Sequence, residues 1–237
     1  MSSFPASPLE GDDRASFERL LREASATALP AWMESRRWFA DKGRGIAIIE
    51  IEDAIVERAD SHWLALAVAQ VAFKDGSTAR YLLPLTLTRS PKRQDVVIAV
   101  APGSEGSALI DATETSWFGE WILSRLAEQG SESGAWSYVS HRTGETHIAR
   151  ARSHQASVMR AEQSNTSIRF GDVLKMKLFR RLQPGPNPDE EVLGALLDVG
   201  FARVPRYIGS VSWRSNGGET FAVAVSQEFL RRVDRGG

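Results

Sequence analysis

Three consecutive stretches of this chain carry side chains suited to gripping phosphate. The first, Glu162-Gln163-Ser164-Asn165-Thr166-Ser167, is polar and rich in hydroxyls. Such a turn can offer backbone N–H groups and hydroxyls to phosphate oxygens, and Asn165 tolerates a left-handed backbone there. The second runs from Val173 to Arg181. With a two-residue period, Leu174, Met176 and Leu178 point one way, and Lys175, Lys177 and Phe179 the other. A lysine on a rigid strand is a fixed point charge suited to phosphate. The third, Pro184-Gly185-Pro186-Asn187-Pro188-Asp189-Glu190-Glu191, reads as a stiff connection opening into a helix. Glu191, one turn in, is placed to pair with the strand lysine. Phosphoryl transfer asks a protein mainly to hold phosphates, balance their charge and position the acceptor. Each stretch has a plain reading too, as an exposed strand face, an acidic helix start or a simple turn.

These residues need elements to hold them. Phe17, Leu20 and Leu21 recur at helical spacing between Arg14 and Ala24, and Leu29 to Met33 makes a short second helix with Pro30 in its first turn. Strand signals follow at Ile46–Val56, Trp63–Phe73 and Arg80–Leu87, the last two joined through Lys74-Asp75-Gly76, and then at Asp95–Val100. Together they predict an antiparallel sheet with helices on one side. The Pro/Gly/Ser-rich run Ala101–Ser107 marks a subdomain boundary. Thr113–Ala127 reads as a packed helix containing Trp117 and Trp121, and Glu128–Gly134 as a polar loop. Three hairpins are then predicted: Trp136–Ser140 with Thr146–Ala151, Ser157–Arg160 with Ser167–Phe170, and Arg206–Trp213 with Glu219–Ser226. Between the last two lies a helix with Asn187 as N-cap, Pro188 at its first position and Gly200 as its stop.

Bulk composition narrows the function classes. A formal net charge of -1 gives no global field toward nucleic acid or anionic membrane. The absence of cysteine excludes disulfides and thiolate metal sites and suits a cytoplasmic setting. Met1–Asp13 lacks the apolar core of a signal peptide, and no apolar run approaches the ~20 residues that span a bilayer.

The wording of the phosphate stretches is more specific than their chemistry. Glu162–Ser167, then Leu178-Phe179-Arg180-Arg181-Leu182, then Pro184–Asp189 closely resemble the maltokinase family. The resemblance extends to Arg36-Arg37-Trp38-Phe39 with Lys42-Gly43-Arg44, to Gly200-Phe201 with Val204-Pro205, and to Gln227-Glu228-Phe229. It implies an α+β chain: an antiparallel-sheet N-terminal cap subdomain over 1–102, then a kinase-like (aminoglycoside phosphotransferase-like) β-rich N-lobe over 103–230, with 231–237 a tail. The implied reaction is phosphorylation of maltose at C1 by ATP with Mg2+, in trehalose and glycogen metabolism. Trehalose synthase is an implied partner.

Carried over by position, Ser164, Asn165, Thr166 and Ser167 match the phosphate loop, Lys177 the nucleotide-gripping lysine and Glu191 its helix partner. Gln227, Glu228 and Phe229 match the segment that meets adenine. Lys175 departs from the pattern, standing where an apolar residue is expected. The family's catalytic loop resembles His-Gly-Asp, and none of His62, His141, His147 and His154 precedes Gly-Asp. The expectation is that catalytic base, metal ligands and maltose site belong to a C-lobe outside these residues. This polypeptide alone then has no catalytic or metal-ligating residue and does not transfer phosphate. Two other readings stay open: a non-catalytic kinase-like interaction module, and the N-lobe of another small-molecule kinase of the aminoglycoside type.

Overall fold

The structure, a computed structural model, describes residues 14–59, 62–89, 91, 96–100, 107–128, 131–141, 144–159, 164–201 and 204–230. Glu162, Gln163, the break at 101–106 and the tail lie outside them. The contacts divide the chain into two compact units: Met1–Arg36, Asp41–Thr78 and Leu83–Ala112, and Arg37–Ala40, Ala79–Leu82 and Thr113–Gly237.

In the first unit, α1 (Arg14–Ala26) and α2 (Leu29–Ser35) pack on an antiparallel sheet. The sheet contains β1 (Ile46–Ala59), β2 (His62–Phe73), β3 (Thr78–Thr88, of which Ala79–Leu82 belongs to the second unit), β4 (Val97–Val100) and β5 (Ala108–Asp111), in the order β1-β2-β3-β5-β4. The helical spacing of Phe17, Leu20, Leu21 and Ala24 puts all four in the core, and the Phe17 ring stacks 6.1 Å from Trp63. β2 lies between two neighbours, and Leu64 to Ala69 are fully buried along it, which is why its sequence is nearly continuous in apolar residues. The predicted strands and the two helices are present. β5 was not foreseen; four residues are too few to show a period against the Gly/Ser-rich run before them.

The β2–β3 turn is held by charge. Asp75 accepts hydrogen bonds from the Ser77 hydroxyl and the Ser77 N–H, and from Arg44 at 2.9 Å. Arg44 also donates to Asp41 at 3.0 Å. The Ser77 bonds, with the guanidinium beside them, bring the Asp75 carboxyl down to about 2.

The second unit carries a seven-stranded antiparallel sheet in the order β6-β7-β12-β13-β10-β9-β8. Its strands are β6 (Ser131–Ser133), β7 (Trp136–Ser140), β8 (Ala156–Met159), β9 (Asn165–Phe170), β10 (Leu174–Phe179), β12 (Tyr207–Arg214) and β13 (Thr220–Glu228). The two-residue β11 (Arg181–Leu182) pairs outside it with Tyr81 and Arg80. The helices are α3 (Ser116–Ala127), α4 (Glu145–Ala151) and α5 (Pro188–Asp198). Trp136, Trp213 and Phe221 form a fully buried aromatic row, with ring centroids 6.5 and 5.3 Å apart. α3 lies so close to the sheet that a Cβ on Gly119 would come within 2.3 Å of the Ala156 methyl.

Two sequence expectations are corrected here. Thr146–Ala151 is not a strand but part of α4. Its alanines favour helix, Glu145 and Arg150 suit the two helix ends, and Ile148 and Ala151, one turn apart, are buried. The strand beside β7 is instead β6, drawn from the expected polar loop. Edge pairing runs through the backbone, so a polar segment can supply it.

Arg180 is 1% exposed. Its Nε donates to Thr166 Oγ1 at 2.7 Å, its Nη2 donates to Thr113 Oγ1 at 3.0 Å, and its guanidinium lies 4.7 Å from the Trp38 ring centre. Its carbonyl accepts the Leu82 N–H at 2.8 Å. Alternation along β10 continues to this residue and turns it inward with Leu174, Met176 and Leu178.

Arg180→Met strips two buried hydroxyls of their donor and is expected to cost about 3 kcal/mol in denaturant unfolding; a loss under about 0.5 kcal/mol would contradict the assigned role. Asp75 has its folded pKa below the unfolded value of ~3.9, so its contribution to stability is present above that pH and disappears as pH falls through about 2. An NMR titration of Asp75 is expected to show its pKa rising toward the ordinary carboxylate range in Ser77→Ala.

Candidate functional site

β10 lies between β9 and β13, and this central place orients the candidate residues. Lys177 stands opposite Ser167 on β9 and Val225 on β13, and Lys175 opposite Arg169 and Gln227. Leu174, Met176 and Leu178 are fully buried, while both lysines are only half-buried. Both line a groove of ≈ 430 Å³ in the second unit, with Val225 and Gln227 on the sheet side. Asp189, Val192 and Leu193 line it from α5, and Pro205 from the connection to β12.

α5 begins and ends as its sequence requires. Asn187 Oδ1 accepts the Asp189 N–H at 2.8 Å, which caps the first turn. Gly200 takes φ 70° just beyond the helix, and the Phe201 N–H reaches back to the Leu196 carbonyl at 2.9 Å. The acid that meets Lys177 is Asp189: Lys177 Nζ donates to Asp189 Oδ2 at 2.8 Å. This replaces the expected pairing with Glu191. Helical residues advance by about 100° each, so positions 189, 192 and 193 share a face and 191 lies nearly opposite. Glu191 is exposed, whereas its neighbour Glu190 turns toward β12. With Asp189 half exposed, the pair adds little to stability and serves mainly to hold the lysine in place.

The hydroxyl-rich stretch divides in two. Thr166 and Ser167 lie within β9, buried at 6% and 0%. Arg180 occupies the Thr166 hydroxyl. Ser164 and Asn165 stand at the mouth of the β8–β9 connection, where the Asn165 amide donates to Ser164 Oγ at 3.2 Å. They are the described members of the stretch that remain accessible.

Gln227, Glu228 and Phe229 also part company. Gln227 lines the groove. Glu228 lines an adjoining hollow of ≈ 200 Å³ and lies 3.9 Å from His147 Nε2. The Phe229 ring sits under the Arg169 guanidinium at 4.5 Å, which in turn donates to the Gly171 carbonyl and to Asp172. The N–H groups of Glu228 and Phe229 are taken by the carbonyls of Arg206 and Val173. Among the described residues no group of three or more His, Asp or Glu could hold a metal ion, so no residue here is assigned to Mg2+.

Sequence reasoning missed Asp189, Arg180, Glu190, Tyr207 and Ser210. Arg180 could have been found by extending the β10 alternation one step further. The other four depend on helix phase and cross-element contact.

In fold the chain is similar to solved structures of glucosamine kinase. One is in complex with glucosamine, ADP and inorganic phosphate, at 18% identity and a TM-score of 0.52, with 89% of this chain and 41% of that chain covered. Crystal form A gives 19% identity and a TM-score of 0.52 over 89% and 41% of the two chains. Crystal form B gives 20% and 0.51 over 89% and 40%. This chain thus spans about two fifths of the length of those kinases. At such identities the likeness is one of fold, an α+β kinase-like architecture. Residues 32–114 match the maltokinase N-terminal cap domain.

Proposed function

We propose that this chain carries the cap and the nucleotide-binding lobe of a sugar kinase of the maltokinase type, with ATP as phosphoryl donor, Mg2+ as its metal and maltose as acceptor. The observation that carries the reading is the Lys177–Asp189 pair at 2.8 Å inside a groove on the strand of a kinase-like fold. The maltokinase cap match over 32–114 supports the choice of sugar.

In this reading the γ-phosphoryl group passes from ATP to the C1 hydroxyl of maltose, and ADP leaves. Lys177 neutralises charge on the nucleotide phosphates, and Asp189 keeps its ammonium from swinging into solvent. Ser164 and Asn165 contribute polar groups from the entry to β9. Gln227 marks the base end of the groove, and Lys175 adds a second positive charge between that end and Lys177. The catalytic base, the metal ligands and the sugar site are assigned to no residue of this chain. Trehalose synthase remains the partner that this reading suggests.

Nucleotide titration of the 237-residue chain tests the site. Lys177→Ala is expected to weaken ADP binding about tenfold or more, as loss of a charge-assisted contact does. Asp189→Ala is expected to weaken it too, while changing unfolding stability by less than about 1 kcal/mol. Binding indifferent to Lys177 would remove the lysine from the site. For the reaction, a single-turnover experiment with ATP and either maltose or glucosamine is expected to give no sugar phosphate with this chain alone. Glucosamine phosphate without maltose 1-phosphate would overturn the maltokinase reading.

A further inference from the structure

α5 presents the acid that holds Lys177, yet its described side chains anchor it only weakly by apolar contact. None of its described side chains reaches the core: Val192 is 56% exposed, and Leu193 and Leu196 are half-buried. Gly194 stands in its middle with open space where a Cβ would be, which lowers its intrinsic helicity. Something else must set its position and rotation.

That role falls to a cluster of three oxygens where the first turn of α5 meets β12. Ser210 Oγ donates to Glu190 Oε1 at 2.6 Å, and the Tyr207 hydroxyl lies 2.9 Å from both Glu190 Oε1 and Ser210 Oγ. Tyr207 is 7% exposed and Ser210 5%. Burial raises the Tyr207 phenol above its ordinary value, so it stays a neutral donor to the carboxylate. Charge-assisted bonds in such a setting are roughly twice as strong as neutral ones. Glu190 follows Asp189 directly, about 100° further round the helix. Fixing Glu190 on β12 therefore fixes the direction in which Asp189 faces and leaves Glu191 pointing away.

We infer that Glu190, Tyr207 and Ser210 form a latch that sets the phase of α5, and that they are positioning residues for Lys177. The three residues hydrogen-bond to one another, while Lys177 Nζ bonds to Asp189. They act by keeping Asp189 in range of it, and so determine which of three consecutive acids becomes its partner. The inference rests on the nucleotide reading only for its effect on ligand affinity.

The test uses the 237-residue chain and the variants Tyr207→Phe, Glu190→Ala and Glu190→Gln, with ADP and adenosine as paired probes and amide hydrogen exchange on α5. Tyr207→Phe and Glu190→Ala are expected to speed exchange along α5 without nucleotide. Both should weaken ADP about threefold to tenfold, the size expected for one or two lost hydrogen bonds, with adenosine unchanged. Glu190→Gln keeps a carbonyl acceptor and is expected to restore most of the ADP affinity. In a Lys177→Ala background, Tyr207→Phe should have no further effect on ADP.

Unchanged exchange on α5 in Tyr207→Phe would overturn the latch. Faster exchange with undiminished ADP binding would overturn its link to Lys177, and equal losses for ADP and adenosine would reduce it to general support of the fold. If Lys177→Ala leaves ADP binding intact, or the wild-type chain binds no ADP, the nucleotide reading falls and the exchange measurement still decides the latch. Should Glu190→Ala fail to fold, Tyr207→Phe, which keeps the ring, carries the same decision.

Discussion

The alternation of β10 is the constraint on which the candidate site depends. A strand flanked on both sides has no freedom to slip: moving its register by one residue would bury two lysines and expose Leu174, Met176 and Leu178. The apolar face therefore places the charged face. Because Lys175 and Lys177 share that face, both lysines line the groove above it. Each acid or polar group that bears on the site is then set by how closely its own element approaches this strand.

Arg180 extends the same alternation to a charged residue, at a cost. A buried guanidinium gives up hydration that only good hydrogen bonds and a polarisable neighbour can offset. The hydroxyls of Thr166 and Thr113 and the face of Trp38 supply these within the second unit. One consequence concerns the hydroxyl-rich stretch. Thr166 looks available for phosphate when its sequence is read alone, but its oxygen is already committed to the arginine. A side chain's hydrogen-bonding capacity is finite, and in a buried site the nearest strong donor claims it.

α5 shows a different balance. Its ends are settled locally, by the Asn187 cap and by Gly200 with a left-handed backbone. Its rotation is not, because its described apolar residues are too few and too exposed to choose one face. Polar contacts decide instead. Three consecutive acids face three directions, and each finds a different environment: Lys177 for Asp189, the β12 hydroxyls for Glu190, and solvent for Glu191.

Much of the architecture was legible beforehand because it rests on local periodicity. The two-residue alternation of β10, the hairpin pairing of β8 with β9 and of β12 with β13, and the start and stop of α5 all follow from residues near one another in the chain. So did the assignment of Lys177 to the open face. Where local signals are thin, sequence and structure diverge: the four residues of β5 show no period, the polar β6 resembles a loop, and the hairpin pattern around α4 outweighs its helix-forming alanines. The choice of Asp189 over Glu191, the withdrawal of Thr166 and Ser167 into the sheet, the separation of Gln227 from Glu228 and Phe229, and the latch at Tyr207 and Ser210 belong to the tertiary structure alone. Sequence spacing specifies which side chains share a face of one element, because backbone geometry is periodic. Which faces meet is decided by the packing of several elements at once, and no local pattern records that outcome.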